Sequence, residues 1–277
     1  MTTHTIASDV ALDSRSIYLR KLVVRALAGG GRGHVGSSLS PIEIFRVLYD
    51  DIVNFKSDKP DWEKRDRCIL SKGHGCLSHY ALLADKGFFD VAELDHFCRH
   101  KALLGGHSEA IVPGVEFSTG ALGHGLAIGV GMAIGNRIKS NDVRVYVVMG
   151  DGEINEGSVW EAAMSAGNNK LGNLVAMIDY NKIQSYGFTR DVADLEPLAD
   201  KWTSFGFETY EVDGHDVDAL KTVLSTLDHQ NEKPKAIICH TVKSKGLHFA
   251  ENDPKWHHKS KITEEDVVNM MTALEAL

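Results

Sequence analysis

Asp151 and Asn181 are the side chains whose types and setting best suit a metal ion. Asp151 lies in Gly150-Asp151-Gly152-Glu153, and Asn181 in Asp179-Tyr180-Asn181-Lys182-Ile183. A carboxylate, an amide oxygen and a loop carbonyl are hard oxygen donors. Together they make half of an octahedral shell, which magnesium would complete with phosphate oxygens and water. The glycines flanking Asp151 allow a sharp turn and close approach by a bulky anion. Taken alone, Gly-Asp-Gly favours a tight turn with a solvated carboxylate. What precedes each motif decides between the two.

Before Asp151 runs Val143-Arg144-Val145-Tyr146-Val147-Val148-Met149, and before Asn181 runs Leu174-Val175-Ala176-Met177-Ile178. Such apolar β-formers predict strands buried on both faces. Both motifs then fall where parallel strands stop, the edge at which open α/β sheets place ligands. Gly150-Asp151-Gly152 and Asp179-Tyr180-Asn181 are separated by 26 residues, a spacing that resembles the thiamine diphosphate signature. A nicotinamide fingerprint does not fit, because Asn155 stands where its third glycine is expected.

The 277 residues, 43% hydrophobic and 25% charged, suit one large globular domain spanning 1–277. A net charge of −8 argues against nucleic acid or an anionic membrane as partner. An anionic cofactor would therefore need local cations and a metal to receive it. Cys68, Cys76, Cys98 and Cys239 form no CxxC pair, so reduced thiols are expected. His96-x-Cys98-x-His100 has no second ligand cluster and reads as a polar helix end. No signal peptide or long apolar span is evident, which predicts a cytoplasmic protein.

In chain order, apolar spacing predicts a helix over 9–28, ended by Gly29-Gly30-Gly31, and a loop over 34–39. Ser40-Pro41-Ile42-Glu43 reads as a capping box opening a helix to about Ile52. Strand 68–70, helix 77–86 and an irregular stretch over 91–119 follow. A glycine-rich helix opened by residues 120–125 and running to about Lys139 suggests close packing against another backbone or a ligand. After the metal motifs come helix 195–205, strand 207–212, helix 217–227 and strand 236–241. A loop-like tail and a closing polar helix complete the chain. Strands alternating with helices predict a doubly wound α/β fold, a mainly parallel sheet with helices on both faces.

His34, His74 and His107 all lie in glycine-flanked loops upstream of the metal motif, and Trp256-His257-His258-Lys259 adds a later cluster. Imidazoles suit phosphate contact, hydroxyl recognition and proton relay near neutral pH, and Lys72 and Lys243 add fixed positive charge. With these residues in place, the whole chain resembles the N-terminal, diphosphate-binding domain of transketolase. The likeness is carried by Gly33-His34, Ser71-Lys72-Gly73-His74, Gly106-His107, Ser118-Thr119-Gly120-Ala121-Leu122-Gly123, Gly150-Asp151-Gly152-Glu153 with Glu156-Gly157, Asn181-Lys182-Ile183, and Lys243-x-Lys245-Gly246 with Trp256-His257.

The resemblance implies specific roles. Asp151, Asn181 and the Ile183 carbonyl would hold magnesium or calcium. His74, Gly152, Lys243 and His257 would line the diphosphate of thiamine diphosphate, with Glu153 in the same motif. Gly120 and Leu122 would contact the cofactor where it bends. His34 and His107, with His257, would act in catalysis, and His34, Ser37, Lys72 and His107 would meet the sugar. Glu156 and Glu161 would join the acidic cluster between active sites of a dimer. Val35, His124 and His258 depart from the common pattern.

The family's second domain, which supplies the glutamate that activates the aminopyrimidine ring, has no counterpart before Leu277. The resemblance thus implies one subunit of a split transketolase. It would work with a C-terminal subunit carrying the pyrimidine-binding and C-terminal domains, in a heterotetramer of two copies of each. The reaction would transfer a two-carbon ketol unit from a ketose to an aldose. A deoxyxylulose-phosphate synthase-like or 2-oxoacid dehydrogenase-like subunit, or a non-catalytic binding module, are the alternatives.

Overall fold

The computed structural model describes residues 10–185 and 187–277. Among them, β1 (Arg67–Leu70), β2 (Val145–Gly150), β3 (Leu174–Tyr180), β6 (Glu208–Asp213) and β7 (Lys235–His240) form a sheet in the order β1-β2-β3-β7-β6. Every pairing in it is parallel. The short strands β4 (Ile183–Gln184) and β5 (Gly187–Phe188) make a separate antiparallel pair beside it.

Alternate residues of the central strands enter different cores. Tyr146, Val148, Val175, Met177, Ile237 and Cys239 face one apolar cluster. Val145, Val147, Ala176, Ile178, Ala236 and Ile238 face the other. A sheet buried on both sides needs apolar residues at every position, and β2 and β3 are buried throughout. Helices Ser14–Gly30, Cys76–Asp85, Val217–Ser225 and Glu264–Glu275 contribute to the first cluster. Helices Gly125–Ile138, Gly157–Asn168 and Leu198–Ser204 contribute to the second. The doubly wound α/β architecture is thus the one the alternation predicts.

Three local expectations give way. Residues Val35–Leu39, read as a loop, form a short helix with His34 at its N-cap. The expected capping box does not form: the helix begins at Ile42 without a side-chain cap. Ser40 instead donates to Asp179 at 2.5 Å, and Glu43 pairs with Arg20. A buried carboxylate without partners is costlier than an uncapped helix end, so the tertiary contacts win. The glycine-rich helix starts at Gly125, leaving residues 120–124 as a loop. The first helix begins at Ser14, capped by Asp13; its expected start at Asp9 lies outside the described residues.

Candidate active site

The register sets the site. Leu70 pairs with Val148, Gly150 with Asp179, and Tyr180 with His240. The chain therefore leaves β1, β2, β3 and β7 at one edge of the sheet. Ser71 and Lys72, Asp151, Asn181, and Thr241 to Lys243 emerge there side by side. Lys72, Asp151, Asn181 and Lys243, with Ser37, His74, Leu122 and His257, line a cleft of about 70 Å³.

Asp151 is 2% exposed. It accepts the N–H of Gly152 at 2.7 Å and the N–H of Lys182. Burial, and then the negative charge of Asp179, push its carboxyl upward, with Lys243 opposing them. Asn181 donates Nδ2 to Asp179 at 3.3 Å, while its Oδ1 accepts the N–H of Ile183 at 3.2 Å. The Ile183 carbonyl accepts Lys243 Nζ at 2.7 Å. Carboxylate, amide oxygen and carbonyl thus share one small neighbourhood. Gly152 must be glycine for packing, since a Cβ there would lie 2.6 Å from Gln184 Cβ.

Behind these groups stands Asp179, which belongs to the sequence motif but to which sequence reasoning gives no role. Its fully buried carboxylate accepts from Ser40 Oγ, Lys72 Nζ and Thr241 Oγ1 as well as Asn181. Lys72 also donates to the Ser37 carbonyl at 3.0 Å. Lys72, expected on the sugar side, is 2% exposed and directed at Asp179. A carboxylate at the end of an apolar strand is the available signal, because a buried charge requires partners.

The histidines gather around His34. Its ring lies 5.1 Å from His74, 6.1 Å from His107, 5.5 Å from His257 and 4.5 Å from His258. The Gly33–Lys259 bridge draws the distant tail against this loop. Ser37 Oγ lies 3.4 Å from His257 Nδ1. Burial, then the neighbouring His258, His107 and Lys243, lower His34 to about 4. Burial and then Lys243 bring His257 to about 3, and burial holds His74 well below its usual value. These three rings, His34, His74 and His257, are neutral at physiological pH, each with one donor and one acceptor nitrogen. His258, read in sequence both as part of the 256–259 cluster and as a departure from the family pattern, joins the group.

The remaining expected residues are more scattered. Glu153 lines the cleft, but its carboxylate accepts from Ser71 Oγ and from the N–H groups of Gly123 (2.9 Å) and Gly150 (3.1 Å). It ties the 123 loop to the 150 turn. Gly120, at φ 148°, passes close to His107, where a Cβ would lie 3.1 Å from the ring. Glu156 and Glu161 are exposed. His124 is exposed too, with Nδ1 3.0 Å from the Leu122 carbonyl.

A parallel α/β sheet with an oxygen-donor corner and a lysine- and histidine-lined cleft defines a diphosphate-binding enzyme domain. Residues 13–275 match the family model described as transketolase, thiamine diphosphate binding domain, and the chain belongs to the transketolase family. It is 42% identical over 247 residues to one of the subunits of the apulose-4-phosphate transketolase of Phocaeicola vulgatus, covering 89% of this chain and 88% of that one. It is 38% identical over 258 residues to a 6-deoxy-6-sulfo-D-fructose transketolase subunit of a Clostridium species, covering 93% and 94%. Human transketolase is 37% identical over 254 residues, which is 90% of this chain but 40% of that protein. The structure of transketolase from Leishmania mexicana superimposes with a TM-score of 0.87 at 32% identity, covering 96% of this chain and 41% of that one.

Proposed function

We propose that this chain is the diphosphate-binding subunit of a two-chain transketolase that moves a two-carbon ketol unit from an anionic ketose to an aldose. The observation that carries this reading is the joining of Asp151, Asn181 and the Ile183 carbonyl at adjacent strand ends, with Lys243 beside them. The donor set fits magnesium or calcium: three oxygens, one of them a buried carboxylate whose charge a cation would stabilise. The Ile183 carbonyl has a second lone pair free for a metal while Lys243 holds the first.

When bound, thiamine diphosphate supplies the nucleophilic carbon and electron sink that ketol transfer requires. Asp151, Asn181 and Ile183 would hold the cation, and His74, Gly152, Lys243 and His257 would receive the diphosphate. Gly120 and Leu122 would contact the cofactor where it bends. His34, as a neutral imidazole, and His107 would bind the sugar hydroxyls and relay protons, with Ser37 nearby. Lys72 acts from behind, through Asp179 and Asn181.

Two features support a partner chain. The cleft of about 70 Å³ is small beside the roughly 300–1,000 Å³ of whole small-molecule sites, so it suits one end of a cofactor. On helix Gly125–Ile138, Gly131 and Gly135 have open space beyond their Cα atoms, and Ile138 is 78% exposed. Met164 adds another exposed apolar side chain on helix Gly157–Asn168. This face, with Glu156 and Glu161, would meet neighbouring subunits in a heterotetramer of two copies of each chain. The partner would bring the pyrimidine-binding and C-terminal domains. The relatives named as subunits of sugar-phosphate and sulfosugar transketolases support an anionic sugar. A cytoplasmic setting suits such a reaction, and no helix among the described residues is long and apolar enough to cross a membrane.

Calorimetry with thiamine diphosphate and magnesium tests the reading. Binding is expected in the wild type and lost in Asp151→Asn, which keeps the fold but removes the charge. Equal affinity in the mutant would remove Asp151 from the cation site.

A further inference from the structure

Behind the cleft, three ionisable side chains form a buried network with no part in the reading above. Arg20, on helix Ser14–Gly30, and Glu43, on helix Ile42–Val47, are both fully buried. Their fork is bidentate, Nη1 to Oε1 at 2.5 Å and Nη2 to Oε2 at 2.9 Å. His215, in the turn after β6, sets Nδ1 2.8 Å from the same Oε2. Its Nε2 lies 2.8 Å from the backbone nitrogen of Val242. A backbone N–H can only donate, so Nε2 is the acceptor and the imidazole proton sits on Nδ1, facing Glu43.

Arg20 reaches the same stretch of chain from another side, donating Nε to the Lys245 carbonyl at 2.8 Å. The network therefore grips the backbone at Val242 and at Lys245. Lys243 lies between these two points, 2% exposed, with Nζ on the Ile183 carbonyl. Ser244 beside it has φ 64°, a left-handed conformation that a non-glycine residue keeps only when its surroundings impose it.

A buried ion pair is weak evidence of stabilisation, because desolvation offsets its attraction and apolar residues fill the same volume as well. What apolar residues cannot provide is hydrogen bonds to two backbone atoms of an irregular segment. We infer that Arg20, Glu43 and His215 are positioning residues that hold the Val242–Lys245 segment so that Lys243 points into the cleft. The inference rests on the reading of Lys243 as a diphosphate-side group.

The test is a double-mutant cycle on the full-length chain, reading affinity for thiamine diphosphate with magnesium by calorimetry, and thermal unfolding without cofactor. His215→Phe keeps the shape and loses both hydrogen bonds; it should weaken binding by about tenfold, as loss of a supporting contact commonly does. In a Lys243→Met background the same change should cost less than about twofold, because the two effects pass through one side chain. His215→Gln, which retains an acceptor for Val242 and a donor for Glu43, should recover most of the affinity. Should His215→Phe fail to fold, Arg20→Lys carries the same cycle, keeping a charge beside Glu43 while losing the Nε–H bond to the Lys245 carbonyl. A lowered unfolding temperature with unchanged affinity would overturn the inference. So would an equal loss with and without Lys243. A wild-type chain that binds no cofactor, with or without its partner, would instead overturn the diphosphate reading and the inference with it.

Discussion

Lys72 and Asp179 form an ion pair beneath the cleft, the lysine 2% exposed and the carboxylate fully buried. The pair joins the end of β1 to the end of β3, and Asn181 donates to the same carboxylate. Removing one member leaves the other charged and desolvated. Lys72→Met should therefore destabilise the cofactor-free chain by about 3–5 kcal/mol, the usual cost of breaking a buried pair. Urea unfolding measures it. A loss confined to cofactor affinity, with stability unchanged, would show that Lys72 acts only at the ligand.

His79 makes stability pH-dependent. Its ring is 1% exposed, stacks on Phe45 and contacts the Tyr49 hydroxyl through Nε2 at 2.9 Å. Burial, and then the charge of Arg65, lower it to about 3. The unfolded chain, with a histidine near about 6.5, binds the proton first as pH falls. Stability due to neutral His79 is therefore full above about pH 6.5 and declines below it. Relative to His79→Phe, the wild type should lose about 2 kcal/mol between neutral pH and about pH 5. Urea midpoints of both proteins across this range give the difference. A constant gap would show that His79 does not titrate there.

His107 is exposed, its ring 6.1 Å from His34, and it stands outside the lining of the cleft. In the assembled enzyme, His107→Ala should bind thiamine diphosphate as the wild type does. It should lower turnover or raise KM for the donor ketose. If its hydrogen bond strengthens in the transition state, most of the loss appears in kcat. Steady-state kinetics at saturating cofactor decide, and wild-type constants would make His107 a surface histidine.

Much of this organisation is legible in the chain. Continuous apolar runs before Asp151 and before Asn181 mark buried parallel strands, and strand ends are where such sheets bind ligands. The gathering of His34, His74, His107 and His257 follows from motifs, not from periodicity, because the tail reaches His34 through long-range contacts such as the Gly33–Lys259 bridge. Hidden from sequence are the partners of buried charges. Ser40 and Glu43 carry a helix-capping pattern, yet Asp179, Arg20 and His215 claim them, from as far as 172 residues away in sequence. Local patterns register capping, whereas the desolvation that overrides it depends on the completed fold.

The proposed function divides the labour: this chain anchors the cofactor, and a second polypeptide activates it. In that reading the cleft residues serve the metal and the diphosphate, whereas activation of the aminopyrimidine ring needs a carboxylic acid expected from the partner. The direct measurement is ketol transfer by the purified chain, with saturating thiamine diphosphate and magnesium, titrated with a C-terminal transketolase subunit. Activity should be absent for the chain alone, rise with added partner and saturate at one partner per chain. Full turnover by the chain alone, at a level contamination cannot supply, would contradict that division and place the activating acid within this polypeptide.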